Sequence, residues 1–293
     1  MHRISVLATM ATAGLIAATP ATAATPVAGA LYGGGASTTD GDHAEYTTVR
    51  VEKSGKTLNF YGEWRVRCDG GGQDLAYVTA EHVRLKRNGA FSGKGTIKAS
   101  GPLGSQAGRF RFSGRFGARH VVRGTAVANL QQTLTAGGGA ACTTGRFRFT
   151  AIDATQRGAV ATPKPGAQYY GSTSQTYPAL LRLDAGGTSL RYASLEYELP
   201  CEGQEQPLFL DERMPGQLIT LGPDGRFSGT ETFTSTATVA GNPLEITAHL
   251  DGAFANGRLT GAWKLTGRIL DAQTGAQIAT CTSEDITFAA ARG

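Results

Sequence analysis

The chain has 293 residues, 40% of them hydrophobic and 17% charged, with a formal net charge of +5. Less a targeting segment at its start, that length suits two domains of about 125 residues, each able to bury its own core. Past that segment no apolar run approaches the roughly 20 residues of a membrane-spanning helix, which excludes a helical span. The modest charge conceals a division. Residues 31–152 carry 17 Lys and Arg against 8 Asp and Glu, whereas residues 166–293 carry 8 against 14. A basic half is joined to an acidic half.

Residues 1–23 read as a signal peptide. His2 and Arg3 form a basic start, an apolar run follows from Ile4, and Ala21-Thr22-Ala23 offers small residues for cleavage. The mature chain is therefore expected to be secreted or extracytoplasmic, and no cysteine follows the apolar run to carry a lipid anchor. Residues 24–30 are a short Pro/Ala/Gly leader. In the basic domain, residues 31–152, strands are predicted at Thr47–Lys53, Thr57–Cys68, Ala76–Lys86, Ala90–Ala99, Gly108–Phe116, Val121–Leu130 and Gly145–Ile152. Each is rich in Val, Thr, Tyr or Phe with period-two alternation. Turn residues such as Asp69-Gly70-Gly71-Gly72 and Asn88-Gly89 fall where strands must reverse. Residues 153–165 are polar and twice prolyl, and form the linker. The acidic domain, residues 166–293, has predicted strands at Ala179–Asp184, Ser189–Cys201, Gly216–Leu221, Arg226–Thr234, Leu244–Phe254, Arg258–Ile269 and Ala279–Phe288. Strands at such short intervals predict two tandem, duplicated antiparallel all-β domains, each a meander closed as a barrel or a sandwich.

The duplication is explicit. Asn88-Gly89-Ala90-Phe91-Ser92-Gly93 returns 136 residues later as Asp224-Gly225-Arg226-Phe227-Ser228-Gly229, and each copy lies between two cysteines. Four cysteines allow three pairings, and the repeat favours Cys68–Cys142 and Cys201–Cys281, one disulfide per domain, as suits an oxidising compartment. No C-x₂-C pair and no histidine near the cysteines supports zinc. The opening Tyr169-x-Gly171-x-Thr173-Ser174-Gln175, the Gly-x-Phe-Ser-Gly strand and one Cys pair per repeat resemble a repeat of exported bacterial β-rich proteins. That resemblance covers nearly the whole mature chain, once per half. It implies an exported β-rich fold and assigns neither activity nor catalytic residues. The first half departs from it with Ala36 and Thr38 where Thr173 and Gln175 stand.

The most suggestive chemistry is an alternation of cations confined to the first half. Arg65 and Arg67 flank Val66, Arg84 and Lys86 flank Leu85, Arg109 and Arg111 flank Phe110, and Arg146 and Arg148 flank Phe147. Residues i and i+2 share a face of a strand, so these segments turn apolar groups inward and cations outward. Where such strands are neighbours the cations merge into a face that invites an anion, because like charges directly opposite cost stability. The expected partners are an anionic cell-envelope polymer or the protein's own acidic domain, with nucleic acid not favoured. At the matching places the second half has Glu196, Glu198 and Asp285, read as an outward face of opposite sign. Asp40-Gly41-Asp42-His43-x-Glu45 has too few ligands for an EF-hand loop, so neither metal nor cofactor is expected.

Catalysis finds little support. There is no H-E-x-x-H, no phosphate loop and no G-x-S-x-G elbow, and His82 and His120 have no counterparts in the second half. Glu63, and Glu196 with Glu198, are the acidic candidates for a glycosidase-type pair. Gly62-Glu63-Trp64 and Gly261-Ala262-Trp263 are similar to pieces of lipocalin- and avidin-like barrels, whose interiors hold small ligands. The leading expectation is a non-catalytic binding or envelope-associated module. A small-molecule carrier is the alternative and a secreted hydrolase the lower one.

Overall fold

The computed structural model describes residues 26–37, 44–101, 104–118, 120–156, 164–213, 219–255 and 257–292. The expected signal segment, the Asp40–His43 part of the acidic motif and most of the expected linker lie outside these residues.

The first half is one antiparallel sheet of nine strands. They are β1 (Leu31–Ser37), β2 (Ala44–Val51), β3 (Thr57–Cys68), β4 (Gln73–Arg84), β5 (Ala90–Gly101), β6 (Gly104–Gly117), β7 (Val121–Leu134), β8 (Gly139–Thr143) and β9 (Phe147–Ile152). Their order is β4-β3-β2-β1-β9-β7-β6-β5, with β8 bridging β7 and β3. That bridge curls the sheet into a half-barrel, since Arg67↔Thr143 and Cys68↔Cys142 close the ring at the disulfide.

After a 3₁₀ turn at Ala154–Gln156 the second half repeats the plan in ten strands. These are β10 (Gln168–Thr173), β11 (Pro178–Leu183), β12 (Ser189–Leu199), β13 (Leu208–Arg213), β14 (Ile219–Thr220), β15 (Arg226–Val239), β16 (Asn242–Ala255), β17 (Arg258–Leu270), β18 (Gln277–Thr282) and β19 (Ile286–Arg292). Their order is β13-β12-β11-β10-β19-β17-β16-β15. Closure is by the bridge Cys201↔Cys281, which is also the second disulfide.

Ala279–Phe288, predicted as one strand, is two. β18 and β19 both pair with β17, and Ser283 marks the break. The Leu265 N–H donates to Ser283 Oγ at 2.9 Å and the Ser283 N–H donates to the Leu265 carbonyl at 3.0 Å. Thr144 does the same between β8 and β9, taking the Ala128 N–H at 2.9 Å. A side-chain hydroxyl stands in for a ladder carbonyl at equivalent places, so the chain bulges without stranding a donor.

Each half has its own apolar core. In the first, Phe60 of β3 stacks on Phe112 of β6 with ring centroids 3.8 Å apart, so opposite walls of the curled sheet meet in the middle. Trp64 is fully buried, and its indole N–H donates to the Tyr46 carbonyl at 3.1 Å. Gly62 is required there, because a Cβ would stand 2.4 Å from the Trp64 indole nitrogen. At Gly62-Glu63-Trp64 the pattern is thus a packing device; a Cβ on Gly261 would instead stand 2.1 Å from the Asp251 carbonyl oxygen and 2.9 Å from the Phe288 ring.

The halves meet along their opening strands. A Cβ on Gly33 of β1 would stand 2.0 Å from the Gly171 carbonyl of β10, so only glycine permits this crossing. Val121, Ile152 and Ala154 of the first half join Ala291 of the second in a small apolar cluster. Arg258 donates to the Thr155 carbonyl at 3.1 Å, and the Tyr77 and Phe209 rings lie 6.5 Å apart across the seam.

Candidate functional site: a cationic groove on the first half

The alternation that buries Phe91, Phe110, Phe112, Ala126 and Ala128 turns the residues between them outward. The register then decides which cations meet. Lys94 of β5 lies directly opposite Arg111 of β6, and Arg115 lies directly opposite Arg123 of β7. Arg111 next faces Val127, and Arg109 faces Asn129. Two adjoining hollows result, of about 430 and 640 Å³, sharing Lys94, Arg111 and Val127. Arg146, in the loop before β9, lines the first and Arg109 the second. Arg148 follows on β9 opposite Thr125.

Among the described residues no carboxylate lines either hollow. This follows from the chain itself: between Glu81 and Asp153 it carries twelve Lys and Arg and not one Asp or Glu. An acid-free run that long is a sequence signal which half-by-half charge counting misses. Neighbouring cations on strands about 5 Å apart repel unless an anion sits among them.

The eight cations singled out in the sequence do not form a single face. Arg109 and Arg111 of β6, Arg146 of the loop before β9 and Arg148 of β9 come together, with Lys94 added by β5. Arg67 joins at the margin by way of the closure, in a cross-strand row Arg67–Thr143–Asn129–Arg109. Arg65, its neighbour on β3, is committed locally, with Nη1 donating to Gln73 Oε1 at 3.1 Å and its N–H to Glu45 Oε2 at 2.7 Å. Arg84 ends β4 and Lys86 lies in the turn into β5, outside both hollows.

The expected outward acidic face of the second half holds for Asp285, which is exposed, and needs correcting at Glu196 and Glu198. Glu196 is 0% exposed, and Glu198 is half-buried with its Oε1 accepting from the Tyr177 hydroxyl at 2.5 Å. The reason is that β12 is covered on both sides. Leu195, Tyr197 and Leu199 enter the core, while Ser194 and Glu196 turn toward the seam and are buried as well. Glu63, at 1% exposure, is the matching residue of β3. Tyr61 donates to Glu63 Oε2 at 3.3 Å, and burial raises its pKa, with the Glu196 and Glu63 charges adding to the effect. An acidic pair does converge, but across a sealed seam. Both carboxylates are closed to solvent, whereas a glycosidase pair needs room for substrate and water between its members.

The histidines lie elsewhere. His82 sits exposed at a bulge of β4 with Nδ1 2.6 Å from Glu52, and His120 occupies the turn before β7. Among the described residues no group of three His, Cys, Asp or Glu side chains comes together to hold a metal, and no helix is long and apolar enough to cross a membrane. Compared with known proteins, the chain matches no family model, no curated protein and no solved structure.

Proposed function

We propose that this is an exported, non-catalytic binding protein that holds an anionic polymer of the cell envelope on the groove of β5, β6, β7 and β9. The observation that carries the reading is Lys94 directly opposite Arg111, flanked by Arg109 and Arg146, with no carboxylate among the described residues of the lining. Such an arrangement costs stability in the free protein and recovers it when an anion lies between the cations. Two disulfides suit the oxidising environment of an exported protein. The phenylalanines of these strands are packed into the core, Phe110 and Phe112 at 3–4% exposure, so the groove presents cations and small polar groups far more than aromatic rings. The ring-packed interior of the first half favours this outer surface over a barrel lumen as the place for a ligand.

The test is retention of the intact protein on immobilised poly(glycerol phosphate) across a salt series. Affinity should fall steeply with salt, and R109Q/R111Q/R146Q should flatten the log–log slope by about one unit per cation removed. K264Q/R268Q, on the corresponding face of the second half, should leave the slope as it is. Equal retention of the wild type and the triple variant would overturn the proposal.

A further inference from the structure

A second cationic hollow lies between the halves. Its volume is about 570 Å³, and it is lined by Arg123 and Thr150 of the first half, Lys164 and Pro165 of the connecting segment, and Gln168, Tyr170 and Arg292 of the second. Three cations from distant parts of the chain converge, with no carboxylate among the described residues of the lining. Asp153, three residues after Thr150, and Asp184, whose carbonyl accepts from the Gly166 N–H at 2.6 Å, hold their own turns with their side chains. Asp153 Oδ1 accepts from the Thr155 N–H and hydroxyl at 3.1 and 2.6 Å, and Asp184 Oδ1 accepts from the Thr188 and Ser189 N–H groups at 2.9 and 3.1 Å.

The wall is built. The Tyr170 hydroxyl donates to Gln168 Oε1 at 3.0 Å, and Gln168 Nε2 donates to Tyr192 Oη at 3.1 Å, which fixes the Tyr170 ring. Burial raises the Tyr170 pKa while the cations of Arg123 and Arg182 oppose it, so the ring stands within reach of their field and keeps its proton.

We propose that this seam hollow is a binding site for an oxyanion group, a phosphate or sulfate, held by Arg123, Lys164 and Arg292 and bridging the two halves. Guanidinium groups suit such oxyanions because they donate in parallel pairs. The hollow is large enough for more than the bare ion, so the group enters attached to a small polar body such as a sugar. The site is independent of the polymer groove. Lys94, Arg109, Arg111 and Arg146 are absent from its lining.

The experiment is calorimetric titration of the full chain with inorganic phosphate, glucose 6-phosphate and glucose at constant ionic strength. Both phosphates should bind and raise the melting temperature, glucose 6-phosphate the more tightly, and glucose should do neither. R123Q and R292Q should each weaken binding by about tenfold, the worth of a charge-assisted contact, while R109Q/R111Q leaves it unchanged. Arg123 is exposed, so R123Q keeps the test intact should R292Q disturb β19. Equal affinity for the two phosphates supports the site and assigns free phosphate as its source. No binding at millimolar phosphate, or variants that bind like the wild type, overturns it. Phosphate binding that survives in a protein with no polymer retention would reject the groove reading and leave this one standing.

Discussion

The outer faces of β5–β7 and β15–β17 are the same piece of sheet used twice, and their side chains treat one another differently. Where Lys94 faces Arg111, the second half sets Thr230 against His249, with Oγ1 and Nδ1 2.8 Å apart. Where Thr96 faces Arg109, it sets Thr232 against Thr247, their hydroxyls also 2.8 Å apart. Arg268 is paired with Glu245 and His249 lies 3.8 Å from Asp251. The second face satisfies itself, whereas the first leaves its cations turned to solvent. The exchange extends underneath. Gly95 lies opposite Phe110, but Glu231 lies opposite Ala248, so bulk has moved from one strand to its neighbour, and burial raises the Glu231 pKa. One scaffold thus tolerates two surfaces, because inward volume is conserved pairwise while the outward positions are free to change.

If the scaffold is shared, it should fail in both halves by the same route. The disulfides close sequence separations of 74 and 80 residues, so replacing either pair by alanine should destabilise its half by about 4–5 kcal/mol in the chain-entropy model. The closures differ in one respect. Among the described residues, the first half keeps the further pair Arg67↔Thr143 beside its disulfide, whereas the second has only the single Cys201↔Cys281 bridge, with the Glu202 N–H donating to the Thr280 carbonyl at 2.9 Å and the Thr282 N–H to the Pro200 carbonyl at 3.0 Å. Urea unfolding of C201A/C281A should therefore show the larger loss. A larger loss for C68A/C142A would mean that the extra pair Arg67↔Thr143 contributes nothing to the closure.

A smaller effect probes the hydroxyls that interrupt the last ladder. Ser283 is buried, and Ser283→Ala leaves the Leu265 N–H without its acceptor at a cost of about 1–3 kcal/mol. Thr144→Ala should cost less, because Thr144 is half-buried and water can replace its oxygen. Equal melting temperatures for Ser283→Ala and the wild type would show that the ladder closes without the serine.

These hydroxyls mark where sequence reading runs short. Alternation locates β3 to the residue, since Leu58, Phe60, Trp64 and Val66 all point into one core. It passes over the break at Ser283, because a hydroxyl replacing a carbonyl leaves the apolar period nearly intact. It also leaves β1 and β10 without assigned strands. Gly33, Gly34 and Gly35 have no side chains to alternate, and Gly33 is glycine because another half crosses there, which no local pattern records. Glu196 is misjudged for the same reason: its position on the strand is outward, but the other half covers it. The cationic groove is more legible, because register follows from hairpins and the acid-free run is continuous. The seam hollow is not, since Arg123, Lys164 and Arg292 meet only when the halves do.

The smallest effect bears most directly on the difference between the two faces. If Lys94 and Arg111 repel across β5 and β6, Lys94→Thr, which restores the residue type of the second half, should stabilise the free protein. The gain should be roughly 0.2–1 kcal/mol, toward the low end because both side chains reach solvent. It should shrink at high salt, where the screening length falls to about 3 Å. Thr96→Lys, which adds a cation opposite Arg109, should move stability the other way and also lose its effect in salt. With both substitutions, differences in folding stability and in polymer retention should run in opposite directions, as expected when a binding surface is held in an unfavourable state until its partner arrives. A Lys94→Thr protein that is less stable at every salt concentration would show that the lysine stem packs on the sheet and that charge opposition is not what separates the two faces.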